Sequence, residues 1–153
     1  MSTTNTIAQV DVRGPRFAAW VTTAVLAITL LISGFSTPVA AVILGLQAAV
    51  FAVGALGGPR RHPYGLVFAT VVAPRLEPVS EREPVPPLKF AQLVGFLFAV
   101  VGVAGFTAGV PLLGVIATAA ALAAAFLNAA FGVCLGCQLY PLVVRLRHIV
   151  KPA

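Results

Sequence analysis

From Phe17 onward the chain alternates long apolar runs with short breaks marked by glycine, proline or charge, and that rhythm predicts helices. A span needs roughly 20 apolar residues to cross the hydrocarbon core of a bilayer. Four runs meet that length, at about 17–34, 38–57, 90–109 and 111–131. "SGFSTP" joins the first pair and "TAGVP" the second; both are short, uncharged and contain Gly and Pro, as tight turns between antiparallel helices require. The fold class expected is all-α: a four-transmembrane helical bundle of two antiparallel hairpins, with short amphipathic interfacial helices.

Two further segments carry helical spacing but are too short or too polar to cross. In 63–74, Tyr64, Val67, Phe68, Val71 and Val72 form an apolar stripe, flanked by Arg60, Arg61 and Arg75. A helix lying in the interface is expected there, with a re-entrant segment as the alternative. In 139–150, Leu139, Leu142, Val143 and Leu146 oppose Arg145, Arg147, His148 and Lys151, a second interfacial pattern. Residues 77–89, "EPVSEREPVPPLK", hold three of the four acidic residues and read as an extended, proline-rich connector. Residues 1–16 form an N-terminal tail, mobile from Met1 to Val10, ahead of a single membrane domain over 17–152. A cleaved signal peptide ending near Ala40 is the alternative for the first span, but the run is long and the second span follows almost at once.

Composition strengthens this picture. Of 153 residues, 59% are apolar and 9% charged, and the mean hydropathy is +1.02; no water-soluble domain of this size needs such a core. The net charge of +6 raises nucleic acid as a partner, yet the basic residues are scattered in twos and threes beside apolar runs and form no basic face. Their placement speaks to topology instead, and no nucleic-acid partner is expected. All ten Lys and Arg lie before the first span, between the second and third, or after the fourth; neither tight turn holds one. The positive-inside rule then predicts a multi-pass protein of the bacterial plasma membrane with both termini and the connector in the cytosol.

The two halves share a pattern. "PRFAAW…ISGFSTP" and "LKFAQL…VAGFTAGVP" each open on a basic residue, Phe and Ala, and return through a proline-started span. Both halves have an even number of spans, so their relating axis would run along the membrane normal. Aligning "FAVGALGG" with "FGVCLGC" requires a two-turn insertion in the second half, and would set the cysteines opposite Gly54 to Gly58.

Cys134 and Cys137 are the only cysteines, spaced as C-x-x-C where the fourth span runs out, at headgroup level on the cytosolic side. A reducing compartment disfavours a structural disulfide, so a resting dithiol is expected, serving thiol redox or sulfur transfer, packing, or metal binding. If one of them caps the helix that follows, its dipole and nearby Arg145 favour thiolate; at the end of the preceding helix the dipole opposes it. A zinc site would draw on Cys134 and Cys137 with His62 or His148, and the two thiolates alone could hold Cu(I), although no spacing links the histidines to the thiols. The spans lack Asp, Glu, Lys, Arg and His, which argues against an ion-coupled pump. Gln47 and Asn128 suit interhelical hydrogen bonds or a polar route, while Gly95, Gly102 and Gly109, with Gly54 and Gly58, allow close helix approach.

Together "DVRGPRFAA", "PPLKFAQ" and "LNAAFGVCLGCQLY" resemble a bacterial family of small integral membrane proteins known as domain of unknown function 4395. The resemblance spans about Asp11 to Arg147 and implies a multi-pass protein with a C-x-x-C after the last span; it implies no established activity. The leading expectation is a thiol-dependent redox or sulfur-transfer component without a cofactor, meeting a thioredoxin-like or sulfurtransferase-type partner in the cytosol. The alternatives are a small-solute channel or carrier and a structural subunit, in a homo-oligomer or a larger membrane complex.

Overall fold

A computed structural model describes residues 7–151; residues 1–6 of the expected tail, and residue 152 of the expected membrane domain, lie outside the described residues. The elements run β1 (Gln9–Asp11), α1 (Arg13–Ser33), α2 (Thr37–Gly57), α3 (Pro63–Val67, continuing as a π turn over Phe68–Val72 and a 3-10 turn over Ala73–Arg75), β2 (Arg82–Pro84), α4 (Val85–Thr107), α5 (Pro111–Phe131) and α6 (Leu135–Val150). Four of them, α1, α2, α4 and α5, are long and apolar enough to cross a membrane. The chain is an all-α multi-pass membrane bundle with short flanking helices.

Each long helix packs on two others, around the ring α1, α2, α4, α5. Neighbours in that ring are antiparallel, because each hairpin turns at the same end. At the uncharged end, Ser36 caps α2 by accepting the Val39 N–H, and Pro38 and Pro111 sit in the first turns, where a missing N–H costs nothing. Inside the ring, Leu26, Ala40, Leu44, Phe51, Ala99, Phe106 and Ala121 form the core, with Gly95 against Phe51 and Gly102 against Leu44. Gly109, the third glycine of that series, serves the turn instead, at φ 78°. Leu31, Val42, Leu46, Leu97 and Ile116 stay exposed on the outer faces, where lipid replaces water as the neighbour.

Several boundaries differ from expectation: α1 begins at Arg13 and α6 at Leu135, each four residues ahead of the expected start. Gln9–Asp11, expected within the N-terminal tail, pairs antiparallel with Arg82–Pro84, placing Val10 opposite Glu83. The Asp11 carboxylate also receives Arg13, at 2.8 Å from Nη2, and that hydrogen bond holds its pKa below the usual carboxylate range. Pro86 and Pro87, assigned by composition to the connector, open α4 instead, since the first turn accepts residues without an N–H.

The two halves share a helical plan, in a register that differs from the one the sequence suggests. Helices α2 and α5 each have 21 residues, so no insertion separates them. Both end on a glycine of positive φ, Gly58 at 77° and Gly132 at 69°. Lys89 lies against the first and Arg16 against the second. Phe17 meets Phe68 at 5.8 Å, and Phe90 meets Tyr140 at 6.0 Å. Helix α3 packs on α1 as α6 packs on α4. These paired contacts give the two halves one helical plan. The cap residue of α3, His62, and the cap residue of α6, Cys134, hold the same place in it, across a loop from the glycine that is two residues shorter in the second half.

Candidate functional site

The cysteine pair owes its position to a helix break. Gly132 takes the left-handed conformation that ends α5, and the Val133 N–H returns to the Leu127 carbonyl at 3.2 Å. Cys134 then adopts an extended backbone and becomes the N-cap of α6, its Sγ accepting the Cys137 N–H at 3.2 Å. Cys137 stands in the first turn of the same helix. The pair therefore belongs to the start of α6, where unpaired N–H groups and the helix dipole favour a negative sulfur.

Cys134 and Cys137 are joined as a disulfide, with their Cα atoms 5.2 Å apart. That differs from the expected resting dithiol, for a local reason: a cap residue and the residue three further on face each other across the first turn. Both are half-buried. Gly136, between them, presses on α4, where a Cβ would stand 2.6 Å from the Ala91 Cα; the approach of α6 to α4 depends on glycine here. Pro141 carries no N–H, so the Cys137 carbonyl four residues earlier receives no bond from it.

The surrounding charges differ from the expected set. Arg145 stands ten positions beyond Leu135, about 15 Å along the axis at 1.5 Å per residue, too far to act on the pair directly. Arg16, the basic residue that opens the pattern of the first half, is nearer. Its Nη2 donates to the Ala129 carbonyl at 3.4 Å, and its guanidinium lies beside Gly132, two residues before Cys134.

The candidate metal set does not assemble. His148 lies exposed in the last turn of α6, and His62 belongs to the opposite half. Among the described residues, no group of three or more His, Cys, Asp or Glu is arranged to hold a metal ion.

His62 instead anchors a polar cluster of its own. It is buried, and its Nδ1 accepts the Tyr64 N–H at 3.3 Å. That fixes the proton on Nε2, which donates to Gln92 Oε1 at 3.2 Å. Burial pushes the His62 pKa below its ordinary value, against the opposing pull of Gln92. The Tyr64 hydroxyl reaches into the bundle and donates to Gln47 Oε1 at 2.7 Å, while Gln47 Nε2 stays buried without a partner. Gln47 thus makes the interhelical bond its type suggested, but to α3 and not to a span.

Two cavities flank this end of the bundle. One of about 360 Å³ lies beneath α3, lined by Asp11, Arg60, His62, Phe68 and Gln92. The other, about 370 Å³, runs from Cys134 into the bundle past Gln92, Asn128 and Thr22. Gln92 lines both.

A four-span helical membrane bundle carrying a C-x-x-C pair at the start of its last helix is the class these features define. The chain belongs to the family described as Domain of unknown function (DUF4395), whose model matches residues 10–145. No curated protein and no solved structure matches the chain.

Proposed function

We propose that the protein is a membrane thiol–disulfide exchange component, in which Cys134 is the attacking sulfur and Cys137 the resolving one. The observation that carries this is the cap: Cys134 Sγ already accepts the Cys137 N–H at 3.2 Å. In the reduced pair the same N–H groups and dipole stabilise the Cys134 thiolate, and the thiolate is the nucleophile in exchange. Cys137 gains less, because its sulfur caps nothing.

The step balances without a cofactor. The Cys134 thiolate attacks one sulfur of a partner disulfide, forms a mixed disulfide and releases the partner's other sulfur as thiolate. Cys137 gives up its proton, attacks Cys134 Sγ and releases the second partner thiolate. The partner leaves as a dithiol, and the Cys134–Cys137 disulfide is restored. The reverse sequence oxidises a partner dithiol, and a persulfide partner would pass sulfur by the same attack. None of the ten Lys and Arg lies in the two hairpin turns at the far end, so by the positive-inside rule we read the end that bears the pair as cytosolic, where thioredoxin-like or sulfurtransferase-type proteins are the partners this chemistry suits.

The pH dependence of alkylation tests this, using the Cys137→Ser variant in reduced vesicles with the basic end accessible. Cys134 should titrate below the roughly 8.5 of a free cysteine. A value at or above that figure overturns the assignment of Cys134 as nucleophile.

A further inference from the structure

The cavity of about 370 Å³ beside Cys134 is walled on α5 and α6 by small residues: Ala121 and Ala125, with Gly136 at the start of α6, all line it. That volume lies in the range of small-molecule sites.

Its chemistry narrows the occupant. No Asp, Glu, Lys, Arg or His lines the cavity; its polar side chains are Thr22, Gln92 and Asn128, and Phe51 and Phe98 supply aromatic faces. Such a wall suits a neutral, largely apolar ring bearing a few hydrogen-bond acceptors. The cavity reaches from the cysteine pair to Phe98 and Ala120 at the middle of the spans, and both of these are exposed on the outer face. A lipid-soluble molecule can enter there without crossing water. A redox-active sulfur at its inner end makes electron transfer the reaction to expect.

We propose that this cavity binds a membrane quinone, which takes two electrons from the reduced Cys134–Cys137 pair. This rests on the thiol-exchange reading and names the second substrate of the same site. The two thiols lose two electrons and two protons as the S–S bond forms. The quinone gains the same two electrons and two protons, one on each carbonyl oxygen, and leaves as hydroquinone. A partner dithiol reduces the disulfide again by exchange, so electrons run from partner to pair to quinone. The amides of Gln92 and Asn128 are the donors for the ring carbonyls, and the hydroxyl of Thr22 lies deeper along the same wall.

The experiment uses the full chain in anaerobic vesicles, reduced and freed of reductant, with a fully substituted benzoquinone carrying a decyl tail. Full substitution leaves no ring hydrogen for thiol addition, so loss of quinone absorbance reports reduction alone. One hydroquinone should form for each disulfide regained, and Cys134→Ser should abolish the reaction. Ala124→Phe, which fills the cavity wall, should raise the quinone KM at least tenfold. Photolabelling of the unaltered protein with an azidoquinone should fall within 91–98 or 120–139 and be displaced by the decyl quinone. If the pair exchanges with a soluble disulfide but does not reduce quinone, or if labelling lies elsewhere, the cavity holds lipid and the quinone proposal is overturned while the exchange reading stands. Failure of both reactions overturns the two together.

Discussion

The two halves of the bundle use one plan for different ends. Each has a helical hairpin, a glycine that stops the second helix, a capping side chain and an amphipathic helix laid back on the first helix of its own half. In the first half the cap is His62, and the cavity of about 360 Å³ beneath its helix is lined by Asp11, Arg60 and His62. In the second the cap is Cys134, and the cavity of about 370 Å³ beside it is lined by no charged side chain. A cap must present an acceptor to a free N–H, and imidazole nitrogen and sulfur both do so. Only sulfur adds an oxidisable group. The two halves thus differ in the cap side chain and in the charge of the cavity beside it, on one helical plan.

The largest expected effect breaks the second half alone. Cys134→Ser keeps a favoured N-cap residue, so α6 should stay in place while exchange with a disulfide probe falls to background. Loss of activity with unchanged thermal unfolding in detergent supports a chemical role for the sulfur. Retained exchange would assign it to Cys137 or dismiss the pair.

Gly136→Ala comes next. Its new Cβ would stand 2.6 Å from the Ala91 Cα, which is backbone and cannot swing aside, so overpacking should cost about 1–3 kcal/mol. Lifting α6 from α4 should also speed alkylation of both reduced cysteines. Equal unfolding temperatures for the two proteins would mean that α6 docks loosely. In the first half, Tyr64→Phe keeps the ring but removes the donor to Gln47, whose amide nitrogen already lacks a partner. A loss of about 1–2 kcal/mol is expected, with cysteine alkylation unaffected. A change in thiol reactivity would show that the halves communicate, with Gln92 as the side chain between them.

The spans, the uncharged turns and the interfacial helices could all be read from the sequence, because each rests on local hydrophobic pattern. The beginning of α4 could not, since Pro86 and Pro87 look alike in a connector and in a first turn. Nor could the β1–β2 ribbon, which depends on pairing over some seventy residues. The cysteines were visible as a pair, and the glycines and Pro141 around them marked a break. Which helix they join was decided by the left-handed Gly132. The repeat was visible too, but its register was anchored on Phe51 and Phe131 when Gly58 and Gly132 are the equivalent points. That shift hid the shared capping role of His62 and Cys134. Arg16 was visible as the basic entry to the first span, but its contact with the end of α5 arises from packing alone.

The smallest expected effect uses pH to separate the caps. His62 is buried with Nδ1 accepting a backbone N–H and Nε2 donating to Gln92, so protonation would remove an acceptor and leave a charge out of water. Its folded pKa lies below the ordinary 6.5, so below that pH the unfolded chain binds the extra proton first. Stability from His62 is therefore complete above about 6.5 and lost as pH falls toward the folded pKa, no more steeply than about 1.4 kcal/mol per pH unit. Asp11 and Arg60 line the same cavity. Asp11, with its pKa lowered by Arg13, loses its contribution only in stronger acid. Glu83 runs the other way: burial raises its pKa, so its destabilising effect grows as pH rises through the carboxylate range and flattens any net slope. Subtracting the unfolding profile of His62→Asn, which keeps a good cap and cannot titrate, isolates the histidine. The difference should be flat above neutral pH and slope below 6.5; a flat difference throughout would mean that His62 is wetter than its packing implies.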